Sequence, residues 1–293
     1  YNSLVKCILA VESTALIASG VMFVVICGKN DLSTGCIMQL AASAACMVTT
    51  KYYGSMGDGT VSVLAVVIPV LVGILFGLCN GILVGVFQLN AFVSTLGVAY
   101  IIQAAHVLYN GGGTVYPKTL DVFQFIGKGK IGAMLSFPVL LVILVYIFWG
   151  IVLHKTTFGR KVFAAGGNPV AAKFSGIDSR KIVVISYMIA GAMAGLAGVF
   201  IASYTNSGDM LMGVGKEFDA IIAVVLGGAL LTGGAGSIGG TALGALFLGT
   251  LEMFYVQFNI NINVQWVIRG MLMLAVILMN GLLEKSPRGG KKE

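Results

Sequence analysis

The sequence predicts an all-α polytopic membrane protein, and three observations support this prediction. The chain of 293 residues is 58% hydrophobic and 10% charged, whereas soluble domains carry roughly 25% charged residues. Its mean hydropathy is +0.97. Apolar runs recur along its whole length, several of them near the roughly 20 residues that one helical crossing needs. A chain this apolar has too little polar surface to cover a globule, so most of it must face lipid.

The apolar runs predict about nine transmembrane helices, some of them broken or short. The run at 36–50 is thin, and the run at 219–231 ends in TGGAGSIGG. Breaks at membrane depth are tolerated where protein or a water-filled cavity satisfies the freed backbone groups, so they point to a translocation path. The runs lie at about 8–28, 36–50, 61–87, 91–109, 132–153, 182–203, 219–231, 238–256 and 264–283.

Basic residues orient these helices, because cytoplasmic loops are enriched in Lys and Arg. The loop 154–181 and the tail 284–293 are both basic, so both are predicted to be cytoplasmic. The four runs between them return the chain to the same side. Counting back places the start of the run 8–28 outside. A chain that starts in the cytoplasm would need one more helix upstream, so we expect ten helices, with the first missing from this sequence.

A small-residue segment inside the loop 154–181 differs from the apolar runs around it. Residues 170–176 read VAAKFSG and follow GRKVFAAGGN. This segment resembles the EAAxxxG coupling motif of ATP-binding cassette importer permeases, in the version found in ribose-type sugar permeases. Val170 stands in place of the motif's glutamate, so any contact made by that carboxylate is absent here.

Four other segments resemble the same family, in the same order along the chain. The resemblance covers about residues 10–283, and 1–293 is therefore expected to be a single permease domain. Asn30 stands where the first of these segments has an Ile in the family. The segments are NDLSTG at 30–35, GLCNGILVG at 77–85, NAFVSTLG at 90–97 and VLGGALLTGGAGSIGGTALGALFLG at 225–249.

The resemblance implies a permease subunit that moves a simple sugar, a ribose-like pentose or a hexose, by alternating access. Two permease subunits, as two copies or as paralogues, would assemble with two cytoplasmic ATPases and an extracytoplasmic sugar-binding protein in a bacterial plasma membrane. ATP and Mg²⁺ would bind to the ATPases. This chain lacks the G-x-x-x-x-G-K-[ST] pattern, so neither a cofactor nor enzyme activity is expected on it.

The resemblance also identifies candidate contacts with the ATPase. Small residues would let the backbones approach closely, and basic side chains would add electrostatic attraction. Asn168 is predicted to cap the coupling helix, with Pro169 in its first turn. The alternative is that the loop is a basic anchor for anionic lipid. The candidate coupling residues are Arg160, Lys161, Gly167, Asn168, Ala171, Ala172, Lys173 and Gly176.

Polar side chains in the broken helices are candidates for the substrate path. Amides and hydroxyls can hydrogen-bond to sugar hydroxyls without introducing charge. The alternative is that Asn80 and Thr95 only satisfy backbone groups at the helix breaks. The candidates are Gln39, Asn80, Thr95 and Gln103, with Phe92 as an aromatic face.

Glu252 and Arg269 are predicted to form a structural ion pair, an inference that needs no family. The runs 238–256 and 264–283 should be antiparallel neighbours, which places both charges roughly 6–8 Å below the same surface. Charge at that depth is costly unless it is paired or reaches water. The alternative is that Arg269 extends outward while Glu252 faces a water-filled cavity.

Glycines at helical spacing predict two packing seams between helices. The first is Gly191-xxx-Gly195, and the second is Gly236-xxx-Gly240-xxx-Gly244. Small residues on one face let helices approach closely in membranes.

Three other function classes remain open. The first is an importer permease of the same superfamily for nucleosides or branched-chain amino acids. The second is an ion-coupled secondary transporter, which needs ionisable residues near the midplane. Asp31, Glu217 and Asp219 lie at predicted helix ends and His106 lies nearer the outside, which argues against it. The third is a scaffold membrane protein, and the broken helices argue against that class.

Overall fold

Helices dominate the described chain, and the predicted all-α class is confirmed. The computed structural model describes residues 2–131 and 135–285, so the predicted tail from 286 onward lies outside the described residues. Strands there are limited to a small hairpin of β1 (Lys130–Ile131) and β2 (Leu135–Ser136). The helices are α1 (Asn2–Ile26), α2 (Thr34–Tyr52), α3 (Asp58–Gly81), α4 (Ala91–Asn110), α5 (Asp121–Lys128), α6 (Phe137–Lys155), α7 (Thr157–Gly167), α8 (Pro169–Phe174), α9 (Ser179–Thr205), α10 (Lys216–Leu226), α11 (Ile238–Gln257) and α12 (Ile262–Lys285).

Six helices in the described ranges are long and apolar enough to cross a membrane, judged by length and composition. The chain is a multi-pass membrane protein. The predicted runs 8–28, 36–50 and 219–231 form α1, α2 and α10, which are outside these six, so the count of nine stays a prediction. The six are Asp58–Val86, in which α3 continues through a π-helical turn, Ala91–Asn110, Phe137–Lys155, Ser179–Thr205, Ile238–Gln257 and Ile262–Leu282.

Glycines on both helices build the seam between α3 and α9, and α9 packs against α1 and α2 as well. A Cβ on Gly73 would collide with the carbonyl of Gly191, and a Cβ on Gly195 would lie 2.8 Å from the carbonyl oxygen of Pro69. The two helices therefore run antiparallel with their backbones in contact. The predicted seam at Gly191 and Gly195 is confirmed. The matching glycines of α3, which the sequence analysis did not identify as a seam, are Gly73, Gly77 and Gly81.

The second predicted seam is correct only in part. Gly240 and Gly244 of α11 do pack against α10, where a Cβ on either would collide with the carbonyl of Gly227 or of Ala223. Gly236 lies before α11, which begins at Ile238, so its place on a common helix face was wrong. Gly236 belongs to the connection that leads into α11.

Two interruptions between the apolar helices shape the bundle. Between α1 and α2, the residues Asp31, Leu32 and Ser33 are buried. Gly28 opens this turn with φ of +69°, a conformation that residues with a Cβ rarely adopt. α10 has 11 residues, roughly 16 Å at 1.5 Å per residue, about half of a roughly 30 Å hydrocarbon core. The segment 27–33 is called the α1–α2 break below.

Candidate functional site

The α1–α2 break is held by side chains from three helices. The Oδ1 of Asp31 accepts from the backbone N–H of Ser33 at 2.9 Å and from its hydroxyl at 2.7 Å. Asn80 of α3 donates through Nδ2 to Ser33 Oγ at 2.7 Å. The backbone N–H of Leu32 donates to Thr95 Oγ1 of α4 at 3.1 Å. These bonds replace those that a continuous helix would make.

Two predicted path residues, Asn80 and Thr95, are therefore brought together at the break. Both are fully buried. Thr95 satisfies a backbone N–H that the break frees, which is the alternative role that the sequence left open. Asn80 bonds a side chain instead, and its own Oδ1 has no partner among residues 2–131 and 135–285. A role for either in the substrate path stays a prediction.

The other three path candidates lie around this cluster without joining it. Gln39 of α2 is 1% exposed, and no group of the described chain pairs with its Nε2. Gln103 of α4 is partly buried beside the Cys36 thiol. Phe92 is 53% exposed and lines a mainly apolar cavity of about 90 Å³ together with Phe218 and with Leu32 of the break. The five candidates lie on α2, α3 and α4 and are together called the band below.

Asp31 is the charged residue of this cluster, and its burial was not predicted from the sequence. It lies at a helix end, as predicted, just before α2, and it is buried with no exposed surface. The loop folds back into the bundle, where the Tyr187 hydroxyl donates to the Asn30 carbonyl at 2.7 Å.

A second polar cluster lies near the C-terminal end of α11, around Glu252. The structure brings Glu252 and Arg269 together, with Arg269 Nη2 3.2 Å from Glu252 Oε1. Lys216 Nζ donates to the same oxygen at 2.8 Å. Asp219 lies 3.6 Å from Arg269 Nε and 3.8 Å from Lys216 Nζ. Two cations and two carboxylates therefore balance, and these four residues are called the charge network below.

The charge network fixes the first turn of α10 to its neighbours. Lys216 Nζ also donates to Thr14 Oγ1 of α1 at 3.1 Å, and Trp266 lies 5.6 Å from the Arg269 guanidinium. The four charged side chains are at most 21% exposed, so their attraction is only weakly screened. Lys216 and Asp219 were not predicted to join this ion pair. The motif KEFD, with opposite charges three residues apart just before an apolar run, was the available signal.

The loop 154–181 folds into α7 and α8, joined at Asn168. The predicted cap is confirmed: Asn168 Oδ1 accepts from the N–H groups of Val170 and Ala171, at 3.1 and 2.9 Å, and Pro169 opens α8. All but one of the coupling candidates are exposed. Ala172 is 4% exposed and faces inward, so its predicted contact with a partner is corrected.

The exposed face of α8 carries two apolar side chains that the sequence analysis did not assign to docking. Phe174 is 89% exposed and Val170 is 66% exposed. They are four residues apart, so they lie on one helix face. A phenyl ring that is almost fully exposed on a short helix is typical of an anchor that a partner covers.

The end of α7 contacts the end of α1, directly before the α1–α2 break. A Cβ on Gly166 would collide with the carbonyl of Ile26, the last residue of α1. The N–H of Gly234 donates to the same carbonyl at 2.8 Å, and Gly234 also touches Gly167. A displacement of α7 would therefore reach the end of α1, beside the break, through these backbone contacts.

Comparison with known proteins gives one family and a consistent set of relatives. A family model described as "Branched-chain amino acid transport system / permease component" matches residues 3–277. The ribose import permease protein RbsC of Bacillus subtilis is 32% identical over 271 residues, which cover 92% of this chain and 82% of the relative.

Two Escherichia coli (strain K12) proteins give similar matches. The ribose import permease protein RbsC is 30% identical over 282 residues, covering 95% of this chain and 85% of the relative. The L-arabinose transport system permease protein AraH is 31% identical over 288 residues, covering 96% and 83%. No solved structure gives a significant match. The resemblance that the motifs indicated is thus confirmed, and the chain belongs to the family of transport-system permease components that this model describes.

Proposed function

We propose that this chain is the transmembrane permease subunit of an ATP-binding cassette importer for a simple sugar, a ribose-like pentose or a hexose. The observation that carries the proposal is the exposed, capped helix α8, which directly follows α7, while α7 contacts the end of α1 beside the α1–α2 break through backbone groups. Such a helix suits a device that receives motion from a partner and passes it to the membrane helices. The relatives named for ribose and arabinose support the substrate class.

The chemistry of the buried polar side chains favours a sugar over an amino acid. Gln39, Asn80, Thr95 and Gln103 offer amides and hydroxyls, which match sugar hydroxyls. A zwitterionic amino acid would need separate charged partners. The cations Lys216 and Arg269 already pair with carboxylates in the charge network. We therefore propose the band across α2, α3 and α4 as the substrate path, with Phe92 at its edge.

The partners follow from the same proposal. A separate ATPase would bind ATP and Mg²⁺ and seat α8 in a groove, with Phe174 as the apolar anchor and Lys173 at the rim. The loop 154–181 and the tail would then face the cytoplasm of a bacterium. A second permease subunit, a copy or a paralogue, and an extracytoplasmic sugar-binding protein would complete the importer.

Uptake by the reconstituted importer tests the proposal. Proteoliposomes containing this permease, the ATPase and the binding protein are expected to accumulate a labelled pentose or hexose only with ATP inside. Leucine and a nucleoside are the comparison substrates. Uptake that follows a sodium or proton gradient without ATP would instead show a secondary transporter.

The substitution Phe174→Ala tests the coupling face. Phe174 is 89% exposed, so its loss should leave folding unchanged, while ATP-driven uptake should fall at least about tenfold if the ring is an anchor. Leu211→Ala is the matched control, because Leu211 is 79% exposed on a different surface of the chain. Equal uptake by the two variants would contradict the docking role of α8.

A further inference from the structure

We propose that the α1–α2 break binds a monovalent cation of the sodium and potassium class, held by the carboxylate of Asp31 and the amide oxygen of Asn80. This inference rests on the geometry and charge of the break alone. It does not depend on which substrate the chain transports or on what drives transport.

Two oxygens in this cluster have no hydrogen-bond partner within the described ranges: Oδ2 of Asp31 and Oδ1 of Asn80. Their neighbouring atoms both bond to one hydroxyl. Asp31 Oδ1 accepts from Ser33 Oγ at 2.7 Å, and Asn80 Nδ2 donates to Ser33 Oγ at 2.7 Å. The two side chains therefore converge on Ser33, and both are fully buried. A third buried oxygen without a partner in those ranges, Oδ1 of Asn30, belongs to the same turn.

The charge of Asp31 is not balanced by protein. None of the ion pairs among the described residues involves Asp31. The ionisable groups that face it from the surrounding elements are the Cys36 thiol, the Tyr187 hydroxyl and the Glu217 carboxylate, none of which is a cation. Lys29 lies in the same turn but lines a cavity of about 510 Å³ on the side of the α7–α8 loop. A buried carboxylate without a cation is costly, so a bound ion would relieve that cost.

The ligand chemistry selects the class of cation. The available groups are carboxylate, amide and hydroxyl oxygens, which suit hard cations. The part of the chain that the structure describes has no group of three His, Cys, Asp or Glu side chains placed to hold a metal ion, as a transition metal would require. Among the described carboxylates at the break, Asp31 has a buried oxygen without a partner, whereas the Glu217 carboxylate accepts from backbone groups. One positive charge therefore balances the carboxylate that would bind the ion. Helix breaks with freed backbone groups are also where transporters coordinate such ions.

A proton on Asp31 is the rival occupant. It would neutralise the carboxylate and could bridge to one acceptor oxygen. A monovalent cation differs because it can satisfy several acceptor oxygens at once, and within the described ranges two in this turn and one on α3 are unpartnered. A water molecule could bridge the same oxygens but would leave the charge unbalanced.

Thermal stability of the purified full chain in lipid nanodiscs tests the proposal. Sodium chloride or potassium chloride replaces choline chloride at constant ionic strength. A bound cation at about a hundredfold excess over its Kd should raise the unfolding temperature by roughly 5–10 °C, saturably. Retention of radioactive sodium by the same nanodiscs is a second readout.

The substitution Asp31→Asn locates the site. It removes the charge and keeps the shape, so the shift with sodium or potassium should disappear. The matched control is Glu12→Gln. Glu12 is another buried carboxylate, and its Oε1 also lacks a hydrogen-bond partner among the described residues. Glu12→Gln should keep the full cation response. If Asp31→Asn does not fold, two measurements still test the site. One is the cation titration of the wild-type chain, and the other is Asn80→Ala, which should weaken cation binding at least about tenfold.

The outcomes separate cleanly. A saturable, cation-specific shift that Asp31→Asn abolishes and Glu12→Gln retains supports the site. No difference between sodium, potassium and choline in the wild-type chain overturns it. A stability that changes with pH but not with cation identifies the proton as occupant and also overturns it. A shift that survives in Asp31→Asn places the cation elsewhere.

Discussion

The α1–α2 break and the charge network are both buried polar clusters, but they are satisfied in opposite ways. The charge network pairs two cations with two carboxylates, and each of its four contacts is between 2.8 and 3.8 Å. The break holds one carboxylate and leaves oxygens of Asp31 and Asn80 without partners in the described chain. Polar groups that satisfy one another fix a structure. Polar groups that are left over are available for a ligand, which is why the break and not the network carries the proposed site.

The largest expected effect comes from removing one cation of the charge network. Arg269→Gln leaves Glu252 and Asp219 facing only Lys216, so one negative charge is uncompensated. The expected loss is about 3 kcal/mol of unfolding free energy, measured by denaturation in nanodiscs, because breaking a buried pair costs more than the pair contributes. Arg180→Gln, which removes an exposed cation at the start of α9, should change stability by less than about 0.5 kcal/mol. Equal losses in the two variants would show that the network is a surface feature.

The pairing itself is measured by a double-mutant cycle. Glu252→Gln and Arg269→Gln should each destabilise the chain, and the double variant should lose about 1–3 kcal/mol less than the sum. The 3.2 Å contact between the two side chains is the physical reason. Lys216 also contacts this oxygen of Glu252, so Glu252 keeps one cation partner in the Arg269→Gln variant. Additive losses would contradict a direct interaction.

The break should respond to the loss of the Thr95 hydroxyl, which accepts from Leu32 and donates to the Ala91 carbonyl at 2.8 Å. Thr95→Val keeps the shape of the side chain but leaves the N–H of Leu32 without its 3.1 Å acceptor. The expected cost is about 1–3 kcal/mol, since an unsatisfied buried donor loses its solvation. Thr205→Val is the matched control, because Thr205 also donates to the carbonyl four residues back, yet it is exposed. If Thr95→Val and Thr205→Val were equally stable, the break would be open to water.

These two clusters also show how far the sequence could be interpreted. Helix pattern and spacing were sufficient to juxtapose Glu252 and Arg269, because two antiparallel helices with a short connection fix relative depth. Lys216 and Asp219 could not be predicted in the same place, since α10 is a half-helix whose position depends on tertiary packing against α11. Hydropathy reports how apolar a segment is, and it does not report where an interrupted chain folds back.

Asp31 illustrates the same limit at the other cluster. A polar segment between two apolar runs is normally an exposed loop, and the pattern predicted a helix end at Asp31 without predicting its burial. The segment instead turns inside the bundle, because Gly28 allows the backbone turn and Thr95 and Tyr187 satisfy its freed backbone groups. Those partners are 63 and 157 residues away along the chain, beyond the reach of local patterns. Ala172 is a smaller case, since which face of α8 is buried depends on its tertiary neighbours.

The partly exposed carboxylate of Asp209 gives the lower limit of the comparison, and changing its partner should have the smallest effect. The Thr114 hydroxyl donates to Asp209 at 2.6 Å and the Leu211 N–H donates at 2.8 Å, and these bonds hold the pKa of Asp209 below its usual value of 3.8. A pKa that is lower in the folded state contributes stability above the unfolded pKa and loses it as pH falls through the folded pKa. Thr114→Val should therefore destabilise the chain by less than about 0.5 kcal/mol at neutral pH. The difference from wild type should shrink toward zero as the pH falls below about 4, whereas the effect of Arg269→Gln at neutral pH should remain several times larger. The unfolding temperatures of wild type and Thr114→Val across that pH range measure the difference in stability. A difference that grows in acid would show that the pKa of Asp209 is raised in the folded state.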